Sequence, residues 1–113
     1  MANIYTNAKV DLTTTGVTTL YTSPSNARSI IKSLLVSNDA GSAATITVTL
    51  TNAASAVFNL FNVKSIASNT AVQLLSEPLV LLESEILKVT ASDANELHVM
   101  ASILEISRSD QNG

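Results

Sequence analysis

The sequence predicts an all-β domain, an antiparallel sandwich of jelly-roll-like type with about eight strands, and three observations carry that prediction. Residues 44–51 alternate Ile46, Val48 and Leu50 with Thr45, Thr47, Thr49 and Thr51, a period of two built from β-branched residues. Short apolar runs recur between polar turn clusters at a spacing of roughly 8–12 residues. The two longest runs, residues 28–38 and 96–107, are apolar on both phases, as in strands covered on both sides or carrying a bulge.

Taken in order, residues 1–9 form an N-terminal arm, uncharged up to Lys9 and suited either to fraying or to adding a strand to a neighbour's sheet edge. Residues 9–15, with Val10 and Leu12, and 17–22, with Val17, Leu20 and Tyr21, read as two short strands around a turn at Gly16. Ser23-Pro24-Ser25-Asn26 breaks the chain. A helix over residues 28–38 is rejected because Asn38-Asp39-Ala40-Gly41-Ser42 reads as a hairpin-like loop into an unmistakable strand. Strands at 57–63 and 71–75 follow, with a loop at 52–55 between the first of them and the threonine-rich strand. Pro78 bars a central strand at its own position, after which 79–82 and 86–91 flank the polar turn Glu83-Ser84-Glu85. The turn Asp93-Ala94-Asn95 leads into the last strand, and residues 108–113 form a tail with nothing to bury. The whole reads as a meander of short pieces in one domain, residues 10–107.

A chain of 113 residues holds one core. Charged residues make up 13% of it, about half the usual share, while 46% is hydrophobic, so apolar area is either exposed or covered by a partner. The net charge of −3 and the scatter of Lys9, Arg28, Lys32, Lys64, Lys88 and Arg108 offer no stripe for phosphates, which excludes nucleic acid as an expected ligand. There is no cysteine, hence no disulfide framework and no thiolate metal site. The first residues lack the pattern of a signal peptide, and runs such as Leu79-Val80-Leu81-Leu82 are too short to span a bilayer, so no membrane partner is expected.

The inventory for chemistry is poor. Asp93, Glu96 and His98 are the best constellation, a turn acid followed by two residues sharing one face of a strand, where a cation would need all three to converge. The plainer reading is a solvated turn beside a strand-edge histidine. Glu83 and Glu85 alternate across a tight turn and point apart, which defeats an acid/base pair. No nucleophile elbow, phosphate-binding glycine loop or zinc-protease motif occurs. Tyr5, Tyr21, Phe58 and Phe61 are too few for a stacking platform, and one phenylalanine is expected in the core rather than at a contact. The expectation is no enzyme, no catalytic, cofactor-binding or metal-ligating residue, no cofactor and no small-molecule substrate.

Leu20-Tyr21-Thr22-Ser23-Pro24, the run from Ala27 through Asn38 and the strand from Ala43 resemble the small β-sandwich virion proteins of tailed bacteriophages. Leu79-Val80-Leu81, Leu87-Lys88-Val89-Thr90-Ala91 and Val99-Met100-Ala101-Ser102-Ile103-Leu104-Glu105-Ile106 continue the likeness, which covers residues 10–107. Similar sequences often carry Gly-Asp where this one has Ser84-Glu85. The resemblance implies a structural protein of the particle: a capsid decoration or cement protein, located in the virion and assembled in the host cytoplasm. It would contact the major capsid protein or other virion proteins as a homo-oligomer, a trimer being favoured. A tail, neck or fibre-base subunit is the alternative, and a receptor- or carbohydrate-binding sandwich is disfavoured by the scarcity of Tyr and Trp. Adhesive residues should lie within 28–36 and 99–106, where core-facing and partner-facing apolar positions cannot be separated by phase.

Overall fold

A computed structural model describes residues 3–107 and shows nine strands in two antiparallel sheets. They are β1 (Asn3–Asp11), β2 (Thr18–Thr22), β3 (Ala27–Asn38), β4 (Ala44–Thr51), β5 (Val57–Ile66), β6 (Thr70–Gln73), β7 (Leu79–Leu81), β8 (Ile86–Ala91) and β9 (Leu97–Ser107). One sheet runs β1-β9-β3-β6 with β7 also on β3, and the other runs β2-β8-β4-β5. The pairs are nested: β1 with β9, β2 with β8, β3 with β6 and β7, β4 with β5. A long folded ribbon of this kind, rolled so that alternate pairs fall in opposite sheets, is a jelly roll.

Nesting replaces the meander expected from the sequence. Among consecutive strands only β4 and β5 pair directly. The loop at residues 39–43, the turn at 83–85 and the turn at 93–95 each carry the chain from one sheet to the other instead of closing a hairpin. Their side chains suit that task. Asn38, buried, donates from Nδ2 to the carbonyls of Ser42 and Ile66 and accepts from the Ala40 N–H, tying β3, β4 and β5 at one corner.

The first strand also differs from expectation. Residues 3–9, read as an arm, form most of β1, and β1 and β2 lie in different sheets. Residues 3–7 are exposed throughout, so apolar alternation marked only the end of β1, where Val10 falls in the strand expected over 9–15. Residues 108–113, expected as a tail, lie outside the described residues.

The both-phase runs have a physical explanation. In β3 the register on β9 shifts between Ile31 and Ser33, leaving Lys32 as the extra residue of a bulge. Ala27, Ser29 and Ile31 face the core before it, and Leu34, Val36 and Asn38 after it. The bulge therefore converts an odd phase into an even one. β9 needs no bulge: Leu97, Val99, Ala101 and Ile103 face inward, and its second apolar phase faces out.

The core lies between the sheets. Ile31, Leu34, Val36, Val99, Ala101 and Ile103 of one sheet meet Ile46, Val48, Leu87 and Val89 of the other, with Ile66, Leu12 and Leu81 closing the sides. Phe61 packs partly against this cluster while Phe58 is 52% exposed.

Candidate interaction surface

The register places outward side chains in rows across the strands. On the outer face of the five-stranded sheet, Tyr5 on β1 lies opposite Leu104 on β9, Leu104 opposite Ile30 on β3, and Ile30 opposite Val80 on β7. This is an unbroken apolar row over four strands spaced roughly 4.8 Å apart. Tyr5 and Val80 are exposed, and Leu104 and Ile30 are half-buried. A second row holds Lys9, Met100, Leu35 and Gln73. Beside it a shallow groove of about 410 Å³ is lined by Lys9, Asp11, Leu35, Ser37, His98 and Met100. Asn7, Ser102 and Ser33 separate the rows.

The other outer face is of a different kind. Thr45, Thr47 and Thr49 of β4 point outward, with Thr90 and Lys88 of β8 opposite Thr47 and Thr49. Thr19 on β2 and Asn59 on β5 extend the Lys88–Thr49 row. The middle of this face carries hydroxyls with Lys88 and Asn59, and its edge strand β5 exposes Val57, Phe58 and Val63, whereas the first face bears apolar rows that run across its strands. Thr51, the fourth threonine, is buried, and its Oγ1 has no hydrogen-bond partner.

The titratable candidates separate. His98 faces outward and its Nε2 lies 3.2 Å from Asp11 Oδ1. Glu96 accepts a hydrogen bond from the Ser42 hydroxyl at 3.1 Å. Asp93 makes up no set with them, and among the described residues no group of three such side chains is gathered around a cation position. Glu83 and Glu85 diverge: Glu83 Oε2 is 3.5 Å from Arg28 Nε, and Glu85 Oε1 accepts the Leu82 N–H.

One polar cluster was invisible to periodicity. A register shift on β8 between Thr19 and Tyr21 lets Leu20 fill the core while the Tyr21 hydroxyl reaches the opposite sheet. There it donates to Glu105 Oε2 at 2.5 Å and lies 2.7 Å from Ser29 Oγ, which is 2.9 Å from Ser23 Oγ. Burial, then the hydrogen bond and charge of Glu105, push the Tyr21 hydroxyl up from 10.0 to about 12, against a smaller opposing effect of Ser29. A phenol that holds its proton so firmly makes a poor base or nucleophile. The cluster is a clasp between sheets.

The segments 28–36 and 99–106 that the sequence singled out contribute Ile30, Leu35, Met100 and Leu104 to these apolar rows. Tyr5 and Val80 complete the rows from outside those segments, Tyr5 from the stretch read as an arm suited to a neighbour's sheet edge and Val80 from the short run read at 79–82. Among the described residues no helix is long and apolar enough to cross a membrane.

No protein-family model matches the chain, and no curated protein matches it. Solved structures match by shape. A chain of the T13 particle of infectious bursal disease virus aligns with a TM-score of 0.60 at 10% identity, over 91% of this chain and 30% of that one. A Bacillus endospore appendage protein, from a family of disulfide-linked pili, aligns with a TM-score of 0.58 at 9% identity, over 93% and 88%. A chain of the acid-stable capsid of Helicobacter pylori bacteriophage KHP30 aligns with a TM-score of 0.56 at 13% identity, over 94% and 89%. The chain spans less than a third of the bursal disease virus chain but nearly nine tenths of the other two. At such identities the fold alone is shared: this chain has the all-β, jelly-roll-like architecture found in viral capsids and in a pilus.

Proposed function

We propose that the protein is a virion structural subunit, a capsid decoration or cement protein that acts by adhesion and not by catalysis. The observation that carries the reading is the inequality of the two outer faces. One carries threonine across its middle strands and exposed apolar side chains only along its edge strand β5, and the other presents the row Tyr5, Leu104, Ile30 and Val80 across four strands. The fold shared with chains from two viral capsids supports the setting. In this reading the five-stranded sheet lies on the shell and bridges neighbouring capsid subunits. Binding only the assembled lattice stabilises it by mass action, by about 4 kcal/mol when free protein exceeds Kd a thousandfold. A contact made mainly by apolar rows loses little strength as ionic strength rises.

The second reading is a subunit of a tail, neck or fibre base. The alignment with nearly nine tenths of a pilus protein favours it, although this chain has no cysteine with which to form disulfide links. Cryo-EM of the intact particle tests both. A sandwich of 52 × 26 × 23 Å on the shell, with the five-stranded sheet against it, is the expected result. Density confined to the tail or neck selects the second reading, and a particle without the sandwich overturns both.

A further inference from the structure

Among the described residues each sheet ends in unpaired backbone, and most of those edges carry features that discourage pairing. β2 is five residues long and bulged at Leu20. β5 shifts register on β4 twice and holds Val63 at a φ of 54°, an unusual conformation for a β-branched residue. β6 and β7 are four and three residues long. In the gap between them the Leu34 N–H is taken by the side-chain carbonyl of Gln73 at 2.7 Å. β1 has none of these features. Its nine residues pair with β9 without a register shift and contain no proline or glycine.

The direction of its free groups can be assigned. One residue past β1, the Leu12 N–H donates to the Leu97 carbonyl, continuing the register that sets Asp11 opposite His98. Antiparallel bonding alternates, so the even-numbered residues of β1 bond to β9. The N–H and C=O groups of Asn3, Tyr5, Asn7, Lys9 and Asp11 therefore point away from the sheet.

We propose that this edge pairs antiparallel with β1 of a second copy of the chain, about a two-fold axis at Asn7. That register uses the full length of the strand and permits about ten backbone hydrogen bonds. Lys9 falls opposite the second copy's Tyr5, and Asp11 opposite its Asn3, so no like charges oppose each other. On the inner side Val10 meets the second copy's Ile4, which is 52% exposed in the single chain. On the outer side the row Val80, Ile30, Leu104 and Tyr5 continues through the stem of the second copy's Lys9 to its Met100 and Leu35, enlarging the adhesive face. An isologous edge closes as a dimer, in place of the trimer expected from the sequence.

Sedimentation equilibrium and amide exchange on the purified full chain test the pairing without any particle, so failure here leaves the virion reading untouched. The expected result is a dimer in which the Tyr5, Asn7 and Lys9 amides slow by about tenfold or more as concentration rises. Asn7→Pro removes an N–H that the β9 ladder does not use, and proline is tolerated on an edge strand. The variant should be monomeric with an unchanged circular dichroism spectrum. The wild-type exchange pattern decides the matter even if that variant fails to fold. A monomer at about 1 mM, an oligomer that survives Asn7→Pro, or an oligomer whose odd-numbered β1 amides still exchange rapidly would each overturn the proposal.

Discussion

Replacing Tyr21 with phenylalanine removes one oxygen from the clasp between the sheets and should change how stability depends on pH. At neutral pH the variant loses a 2.5 Å hydrogen bond to the Glu105 carboxylate and a 2.7 Å contact with Ser29. A bond to a charged group contributes about 1.5–3 kcal/mol when buried, and partial exposure of the ring reduces this to about 1–2 kcal/mol. The Tyr21 hydroxyl is pushed up to about 12 in the folded chain against an ordinary 10.0. Its contribution is therefore complete below pH 10 and is lost as pH rises through 12, because the unfolded chain releases a proton that the native chain keeps. Two pH units correspond to about 2.7 kcal/mol for a shielded group. Solvent screening at this half-open position brings that to about 1 kcal/mol. Urea unfolding of both proteins at about pH 8 and about pH 11.5 measures the effect, since lysine titration is common to both. The gap between wild type and Tyr21→Phe should narrow by about 1 kcal/mol at the higher pH. A gap that is constant or wider would refute the clasp.

Thr51→Val replaces a buried hydroxyl that has no partner with a methyl group of the same shape and should stabilise the chain by about 1 kcal/mol, read as a higher urea midpoint at constant slope. Ser84 sits at a φ of 66°, in the left-handed region that favours glycine, and its N–H bonds to the Ser23 carbonyl. Ser84→Gly keeps that bond, relieves about 0.5–1 kcal/mol of strain and should raise the melting temperature by about 3–5 °C. The exposed pair Val80→Glu and Met100→Glu should leave the melting temperature within about 2 °C of wild type. Together they should weaken binding to particles by about tenfold or more in a co-sedimentation assay. Undiminished binding would remove the five-stranded sheet from the contact.

How much of this was legible in the sequence depended on which side of each strand was buried. β4 was plain because its inward Ile46, Val48 and Leu50 and its outward threonines differ sharply. β3 was ambiguous because Lys32 shifts the phase, and one inserted residue looks like a second apolar face. β9 was ambiguous for the opposite reason, since its second apolar phase, Met100, Leu104 and Ile106, really does point outward. β1 was legible only at its end, where Val10 packs partly on the core, because residues 3–7 are exposed on both sides. Pairing was not legible at all: the turns at 39–43, 83–85 and 93–95 have hairpin composition, yet packing two sheets required them to cross between layers. The Tyr21, Ser29 and Glu105 clasp depends on that crossing and could not precede it.

The distribution of charge adds an argument about how copies can approach one another. The basic residues Lys9, Arg28, Lys32, Lys64 and Lys88 all lie on strands, while Asp39, Glu77, Glu83, Glu85, Asp93 and Glu96 lie in connections. Among the described residues the two acids on strands are also engaged, Asp11 with His98 and Glu105 with Tyr21. One end of the sandwich gathers Asp39, Asp93 and Glu96, where Ser42 ties the two loops together, and the other gathers Glu83 and Glu85 beside Ser23. Stacking end to end would set Asp39, Asp93 and Glu96 against Glu83 and Glu85, an acidic excess that Arg28 beside Glu83 offsets only in part and that works against that partner geometry. Approach through the β1 edge or the outer face of the five-stranded sheet meets no such penalty. The low overall charge thus leaves lateral and face contacts open while its acidic share disfavours axial ones.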